Sequence, residues 1–357
     1  MSASKQRALW AGALASAVVA GAAAGLGAER KVIRAKRLSP DPAKGQFAPL
    51  PADRVHKITL DDGITLHVEE VGSVDAPVTM LFFHGFIQSS GTWHFQRTGL
   101  TDLTEQGVRM VFVDQRGHGS SDRGVVSLCT IGQLGHDARA VIDAVAPAGA
   151  LVLVGHSMGG MAIMALAETW PELFKDRVIG VALIATSAGS MAELTFGLPG
   201  ILGTAVGKLR PQMWAAVGRR AALIERARRG GTDFGHEATL RIGFGRSGQV
   251  PPSMSEYVSH LFDQTSMETI AAFMPAFLNH RRLGALAALT DTETIVIVGD
   301  KDMVTPVSQA EEIAKALPDA KLVVLAGAGH MVIMERSALV NLHLRSLVSR
   351  ARARSKA

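Results

Sequence analysis

The chain has 357 residues, 47% hydrophobic and 19% charged, enough to bury a large core, and its length allows one large domain or two ordinary ones. The lone Cys129 excludes an internal disulfide. The net charge of +5 arises partly at the two termini and no nucleic-acid-binding motif accompanies it, so a nucleic-acid partner is not expected.

The first feature along the chain is an uncharged run from Ala8 to Ala28, long enough to cross a bilayer although rich in Ala and Gly. Lys5 and Arg7 precede it, whereas Arg30, Lys31, Arg34, Lys36 and Arg37 follow, and that excess predicts a cytoplasmic side for everything downstream. Residues 1–38 therefore read as an uncleaved membrane anchor with basic flanks. The alternative is an exported protein with a signal peptide cut at the A-x-A site Ala22-Ala23-Ala24. The Pro-containing stretch 39–54 reads as a linker. Val55 to Leu60 and Thr65 to Val71 then alternate apolar and polar residues about Asp61-Asp62-Gly63, which predicts a β-hairpin.

Short apolar strands at about 78–83, 110–113, 151–154, 178–184, 294–298 and 321–325 alternate with helical patterns, the signature of a mostly parallel sheet covered by helices. Polar or Gly-rich loops follow these strands. The first holds His84-Gly85-Phe86 and the second runs from Asp114 to Asp122. The third is Gly155-His156-Ser157-Met158-Gly159, a G-x-S-x-G segment between a strand and the helical stretch Met161 to Trp170. A sharp turn from strand to helix exposes a serine hydroxyl in a strained backbone geometry, and small flanking residues give it room, so Ser157 is the candidate nucleophile.

The interval between Ile184 and Thr294 is too long for a plain connection and holds helix-forming runs at Pro211 to Arg229 and Met267 to Arg282. Beyond it, the strand at 294–298 opens into a loop with two carboxylates, Asp300 and Asp302. The strand at 321–325 opens into a loop holding His330, and Leu339 to Arg352 reads as the last helix. A serine hydroxyl needs a base to take its proton and an acid to orient that base, and the chain supplies them in the order Ser, Asp, His. The Met158 amide, at the start of a helix, offers one donor to an oxyanion. No histidine spacing suggests a metal site, and neither a dinucleotide-binding nor a phosphate-binding glycine loop is present.

Over roughly residues 55–350 these motifs together resemble the α/β-hydrolase superfamily. The resemblance implies an α/β-hydrolase fold, a mostly parallel twisted sheet flanked by helices, with core residues 55–190 and 291–357 and a helical cap, or lid, over 191–290. It assigns Ser157 as nucleophile and His330 as base. The pattern G-x-x-D-x-x-x-P, met by Gly299, Asp302 and Pro306, makes Asp302 the triad acid and leaves Asp300 to cap the loop. The His-Gly-x pattern gives the second oxyanion donor to the Phe86 amide, with Gly85 letting the backbone approach the substrate and His84 pinning the loop. Asp114, Arg116 and His118 fall in a D-x-R-G-x-G-x-S segment that organises loops beside the site. Cap residues such as Leu194, Trp214, Phe273, Met274 and Phe277 pack the lid or line an acyl pocket.

Epoxide hydrolases and haloalkane dehalogenases of this superfamily carry an aspartate at the elbow, where this chain has Ser157; the former usually add two cap tyrosines, and Tyr257 is the only tyrosine here. The expectation is a cofactor-free serine hydrolase of small-molecule carboxylic esters, apolar or lipid-like, associated with a membrane through residues 8–28, with its oligomeric state open. The alternatives on the same triad are a carbon–carbon bond hydrolase, a thioesterase, a haloperoxidase-like enzyme or an aminopeptidase. A receptor-like binding protein with little turnover is another.

Overall fold

The computed structural model describes residues 41–189, 218, 243–245 and 249–355. Eight strands build one sheet: β1 (Arg54–Thr59), β2 (Thr65–Val71), β3 (Val78–Phe83), β4 (Val108–Val113), β5 (Ala150–His156), β6 (Val178–Ile184), β7 (Glu293–Gly299) and β8 (Lys321–Leu325). Their spatial order is β1-β2-β4-β3-β5-β6-β7-β8. β1 and β2 form the expected hairpin, turning at Gly63 with a φ of 84°, and β2 runs antiparallel to β4. The remaining pairs are parallel.

The principal helices are α1 (Ile131–Val145), α2 (Met158–Thr169), α3 (Pro252–Asp263), α4 (Met267–Leu278), α5 (Val307–Ala316) and α6 (Ser337–Arg354). Every residue of β3 and β4 is buried, because helices cover both faces and the two-residue period sends alternate side chains to each. Leu81, Phe83, Val111, Leu151 and Leu153 join the core formed with α1, α2 and α5. Met80, Phe82, Met110, Phe112, Val152 and Val154 join the core on the opposite face, formed with α6. The chain leaves β3 for β4 on one side and next returns to β5 on the other. That reversal opens a crevice beyond the carboxyl ends of β3 and β5, the place where such sheets bind ligands.

Two features differ from the sequence expectations and a third adds to them. First, α4 stops at Leu278 and not at Arg282. The buried His280 imidazole donates to the Ser187 carbonyl at 2.9 Å and the Arg282 amide donates to Ala188 O at 2.8 Å, pulling the chain back to the core before another turn can form. Second, the described part of the linker is docked. Asp41 accepts hydrogen bonds from the Ser253 amide and hydroxyl, both at 3.0 Å, in the first turn of α3, and Phe47 stacks on Tyr257 with ring centroids 4.6 Å apart. Third, the basic C-terminal helix uses its arginines internally: Arg345 pairs with Asp102, Arg350 with Glu293, and Arg352 caps the Gln106 and Gly107 carbonyls.

The anchor reading of residues 8–28 and the cap residues Leu194 and Trp214 lie outside the described residues, as does the helix-forming run Pro211 to Arg229 apart from residue 218. Among those described, no helix is long and apolar enough to cross a membrane.

The loop after β4 is held by a fully buried guanidinium. Arg116 donates to both Asp137 oxygens, at 2.8 and 2.7 Å, and to Asp62 at 2.5 Å, joining that loop to α1 and to the hairpin turn. Removing one carboxylate leaves a buried charge under-compensated, so Asp137→Ala should lower unfolding free energy by about 3 kcal/mol. Urea denaturation at neutral pH checks this, and a loss below about 1 kcal/mol would show that Asp62 and water suffice.

Candidate active site

Ser157 sits between β5 and α2 with φ 52° and ψ −116°, a left-handed conformation that costs a non-glycine residue free energy. Its own backbone holds it there, as its amide donates to Ile184 O at 2.9 Å and its carbonyl accepts the Thr186 hydroxyl at 2.7 Å. The glycines around it are required by contact. A Cβ on Gly155 would lie 2.5 Å from Gly160 N, and one on Gly159 would lie 2.0 Å from the Phe83 carbonyl oxygen at the end of β3.

The loop after β8 brings His330 across to the serine. The Ser157 hydroxyl lies 2.9 Å from His330 Nε2, and His330 Nδ1 lies 2.9 Å from Asp302 Oδ2. Asp302 is itself fixed: its Oδ1 accepts the Val304 and Thr305 amides at 2.8 Å, and its Oδ2 accepts the Thr305 hydroxyl at 2.8 Å. Burial works to raise the Asp302 pKa, but the His330 charge and hydrogen bond, with the Thr305 amide and hydroxyl, outweigh it and hold the group below the ordinary carboxylate value. Asp300 points elsewhere and accepts the Gly327 amide at 2.6 Å, tying the β7 and β8 loops together.

Met158 N–H, at the first position of α2, and Phe86 N–H have no hydrogen-bond acceptor among the described residues. One opens α2 and the other lies in the loop after β3, both at the β3–β5 crevice. Gly85 is confined to glycine by its protein neighbours. A Cβ there would lie 2.8 Å from His156 Nδ1 and 3.0 Å from the Gln88 amide, so the glycine makes room for buried protein side chains. Ile87, the residue after Phe86, has a φ of 60°, a strained value for a β-branched residue.

His84 donates from Nδ1 to Gly85 O at 2.7 Å and accepts the Gln115 amide on Nε2 at 3.0 Å, which pins the β3 loop to the β4 loop. Asp114 accepts the Ser90 and Ser120 amides at 2.7 and 2.8 Å. His118 donates to Arg116 O at 2.9 Å and lies against the Phe86 and Phe273 rings. Beside the serine, Met158, Met161, Phe273, Met274 and Phe277 form one apolar cluster with Phe86, whose ring centroid is 4.8 Å from that of Phe277. Among the described residues no group of three or more His, Cys, Asp or Glu side chains is placed to hold a metal ion. Sequence reasoning missed Thr305, Gln88 and His156. Thr305 carried a faint signal, a hydroxyl three residues after the acid and next to its proline; the other two carried none beyond their position.

The sequence profile of the alpha/beta hydrolase family matches residues 80–341. The AB hydrolase superfamily protein YfhM of Bacillus subtilis is 27% identical over 289 residues, which cover 78% of this chain and 93% of that protein. A thermophilic esterase from Thermogutta terrifontis, solved with malate bound, superposes with a TM-score of 0.63 at 24% identity, covering 84% of this chain and 99% of its own. A membrane phospholipase A described as a bacterial virulence factor superposes with a TM-score of 0.64 at 20% identity, covering 97% of this chain and 99% of its own.

The buried imidazoles around the site make stability pH-dependent. Burial lowers the pKa of His84 to about 4, and of His118 and His156 to about 3, the last two helped by neighbouring imidazoles. The unfolded chain takes up these protons near pH 6.5 and the folded chain does not, so stability is full above that pH and falls as pH drops towards the folded values. By pH 5 each imidazole should have removed about 2 kcal/mol. The urea midpoint should therefore fall steadily from pH 7.5 to pH 5. A flat midpoint over that window would show that these rings are not held neutral.

Proposed function

The chain belongs to the alpha/beta hydrolase family and is a hydrolase, and from that premise we propose that it cleaves carboxylic esters with apolar or lipid-like acyl groups through an acyl-enzyme on Ser157. The observation that carries this reading is the unbroken relay of two 2.9 Å contacts from Ser157 to His330 to Asp302.

In this mechanism His330 Nε2 takes the Ser157 proton as Oγ attacks the ester carbonyl carbon. The oxyanion of the tetrahedral intermediate accepts the Phe86 and Met158 amides, donors of a kind whose single loss typically costs about a hundredfold to a thousandfold in turnover. The C–O bond to the alcohol then breaks as His330 returns the proton to the leaving oxygen. Water repeats the sequence on the acyl-enzyme, with His330 as base, and releases the acid. Asp302 stays ionised throughout, fixing the imidazole tautomer and stabilising the imidazolium.

The acyl preference rests on the cluster of Phe86, Met158, Phe273, Met274 and Phe277 beside the serine. A lid role for the 191–290 insertion rests on α3 and α4, which stand outside the sheet, with α4 carrying Phe273 and Phe277 to that cluster. Residues 8–28 would hold the enzyme at a membrane with its catalytic domain on the cytoplasmic side, a reading carried by their uncharged length and following basic residues. The likeness to a membrane phospholipase A over nearly the whole chain supports the lipid-like class.

A p-nitrophenyl ester series from acetate to palmitate, assayed on the full chain in detergent, tests the reading. Sustained hydrolysis should appear, and Ser157→Ala should lower kcat by about ten-thousandfold or more. A folded protein with no turnover on any member would sink the ester reading and move weight to carbon–carbon or thioester cleavage. Phe277→Ala should shift the optimum towards longer chains and lower stability by about 3 kcal/mol. An unchanged chain-length profile would place the acyl group elsewhere.

A further inference from the structure

Two fully buried polar side chains, Gln88 and His156, have no part in the chemistry above, yet they lie where three loops of the site meet. Gln88 Oε1 accepts the Gly85 amide at 3.1 Å, while its Nε2 faces Met331 Sδ at 3.3 Å. The neutral His156 donates from Nε2 to the His330 carbonyl at 2.8 Å, so its unprotonated Nδ1 packs 3.2 Å from Gln88 Oε1 with no hydrogen bond between the two acceptors. Its ring centroid is 4.9 Å from that of His330.

We propose that Gln88 and His156 form a polar brace that sets the spacing between the loop carrying the Phe86 amide and the loop carrying His330, and that they are positioning residues for the reaction at Ser157. The inference rests on the serine-hydrolase reading above. It accounts for three observations together. A glutamine and a histidine are 2% and 0% exposed between these loops, where an apolar pair would fill the space without desolvating polar groups. Gly85 is confined to glycine by those same two side chains. Ile87, between the Phe86 donor and Gln88, holds a strained φ of 60°, and strain of this kind persists only where the surroundings over-determine the backbone. The brace supplies that determination: one end grips Gly85, just before the donor, and the other grips His330 and Met331. His156 is the last residue of β5 and precedes the nucleophile, so the brace refers both loops to the strand that leads into Ser157.

The brace acts on distances between groups that must converge within a fraction of an ångström, where a displacement of about 1 Å costs up to about a hundredfold. The test compares the full chain with Gln88→Leu, His156→Leu, the double variant and His156→Gln, whose amide keeps a donor near the Nε2 position. Reactive sites are counted with a fluorophosphonate, so that turnover is expressed per competent serine and a loss of folded protein is removed from the comparison. Each leucine variant should lose about ten- to a hundredfold in kcat per titrated site, with KM within about twofold. The double variant should lose less than the product of the two single losses, because the two side chains pack on each other and hold the same loop. His156→Gln should recover most of the loss. If Gln88→Leu does not fold, Gln88→Met, of similar length and without the acceptor, takes its place. Leucine variants that match the parent per titrated site, or losses that multiply in the double variant, would overturn the brace while leaving the ester reading intact. A parent chain that neither hydrolyses esters nor reacts with the fluorophosphonate would overturn both, and the two failures are thereby distinguishable.

Discussion

The site depends on how closely helix α2 enters over the end of strand β3. A single methyl group at Gly159 would fall 2.0 Å from the Phe83 carbonyl oxygen, well inside van der Waals contact. This proximity puts the first amide of α2 beside the loop that leaves β3, so two N–H groups from sequence-distant segments meet at one crevice. It also forces Ser157 into its left-handed turn. The cost is offset locally, through the Ser157 amide on Ile184 and the Thr186 hydroxyl on the Ser157 carbonyl. The reversal in strand order makes the crevice, and the glycine contact decides which atoms face into it.

The electrostatics follow the same economy. Three buried imidazoles lie near the serine, and burial keeps all three neutral near pH 7, so none adds a positive charge that would oppose protonation of His330. The carboxylate beside His330 is treated in the opposite way. Asp302 is equally buried but ringed by two amides and a hydroxyl, donors that replace water and keep it ionised. The contrast between imidazoles denied a counter-charge and a carboxylate supplied with donors gives each of these groups a fixed protonation state.

Much of this was legible in the sequence because it is written in local patterns. The strands show as short apolar runs bounded by turns. The elbow shows as glycines about a serine, and its φ value and contacts give the physical reason for the spelling. The choice of Asp302 over Asp300 came from a family pattern, and the geometry separates the two: one carboxylate reaches the imidazole, the other ties the Gly327 amide. What stayed illegible depends on contacts between distant segments. Nothing near Gly85 signals that His156 and Gln88 will crowd it. The end of α4 is set by the His280 bond to Ser187, ninety-three positions away in sequence. Thr305 was visible as a residue type and invisible as a donor.

The segment read as a linker shows how far such distant contacts reach. Asp41 caps the first turn of α3 through Ser253, and Phe47 stacks on Tyr257 of the same helix. Tyr257 in turn donates its hydroxyl to Gly91 O at 2.8 Å, in the continuation of the loop that carries Phe86 and Gln88. Gly91 is as confined as Gly85, since a Cβ there would lie 2.8 Å from Leu261 and 3.0 Å from the Tyr257 oxygen. The segment from Asp41 to Phe47 therefore leans on a helix of the insertion, and that helix leans on the β3 loop at Gly91, beyond the stretch that Gln88 and His156 hold. A loop that holds one strained residue and one amide unpaired among the described residues is thus gripped by parts of the chain outside the sheet strand that precedes it. Rigidity at the Phe86 amide is a property of these tertiary contacts, and the loop's own residues supply only the room for them.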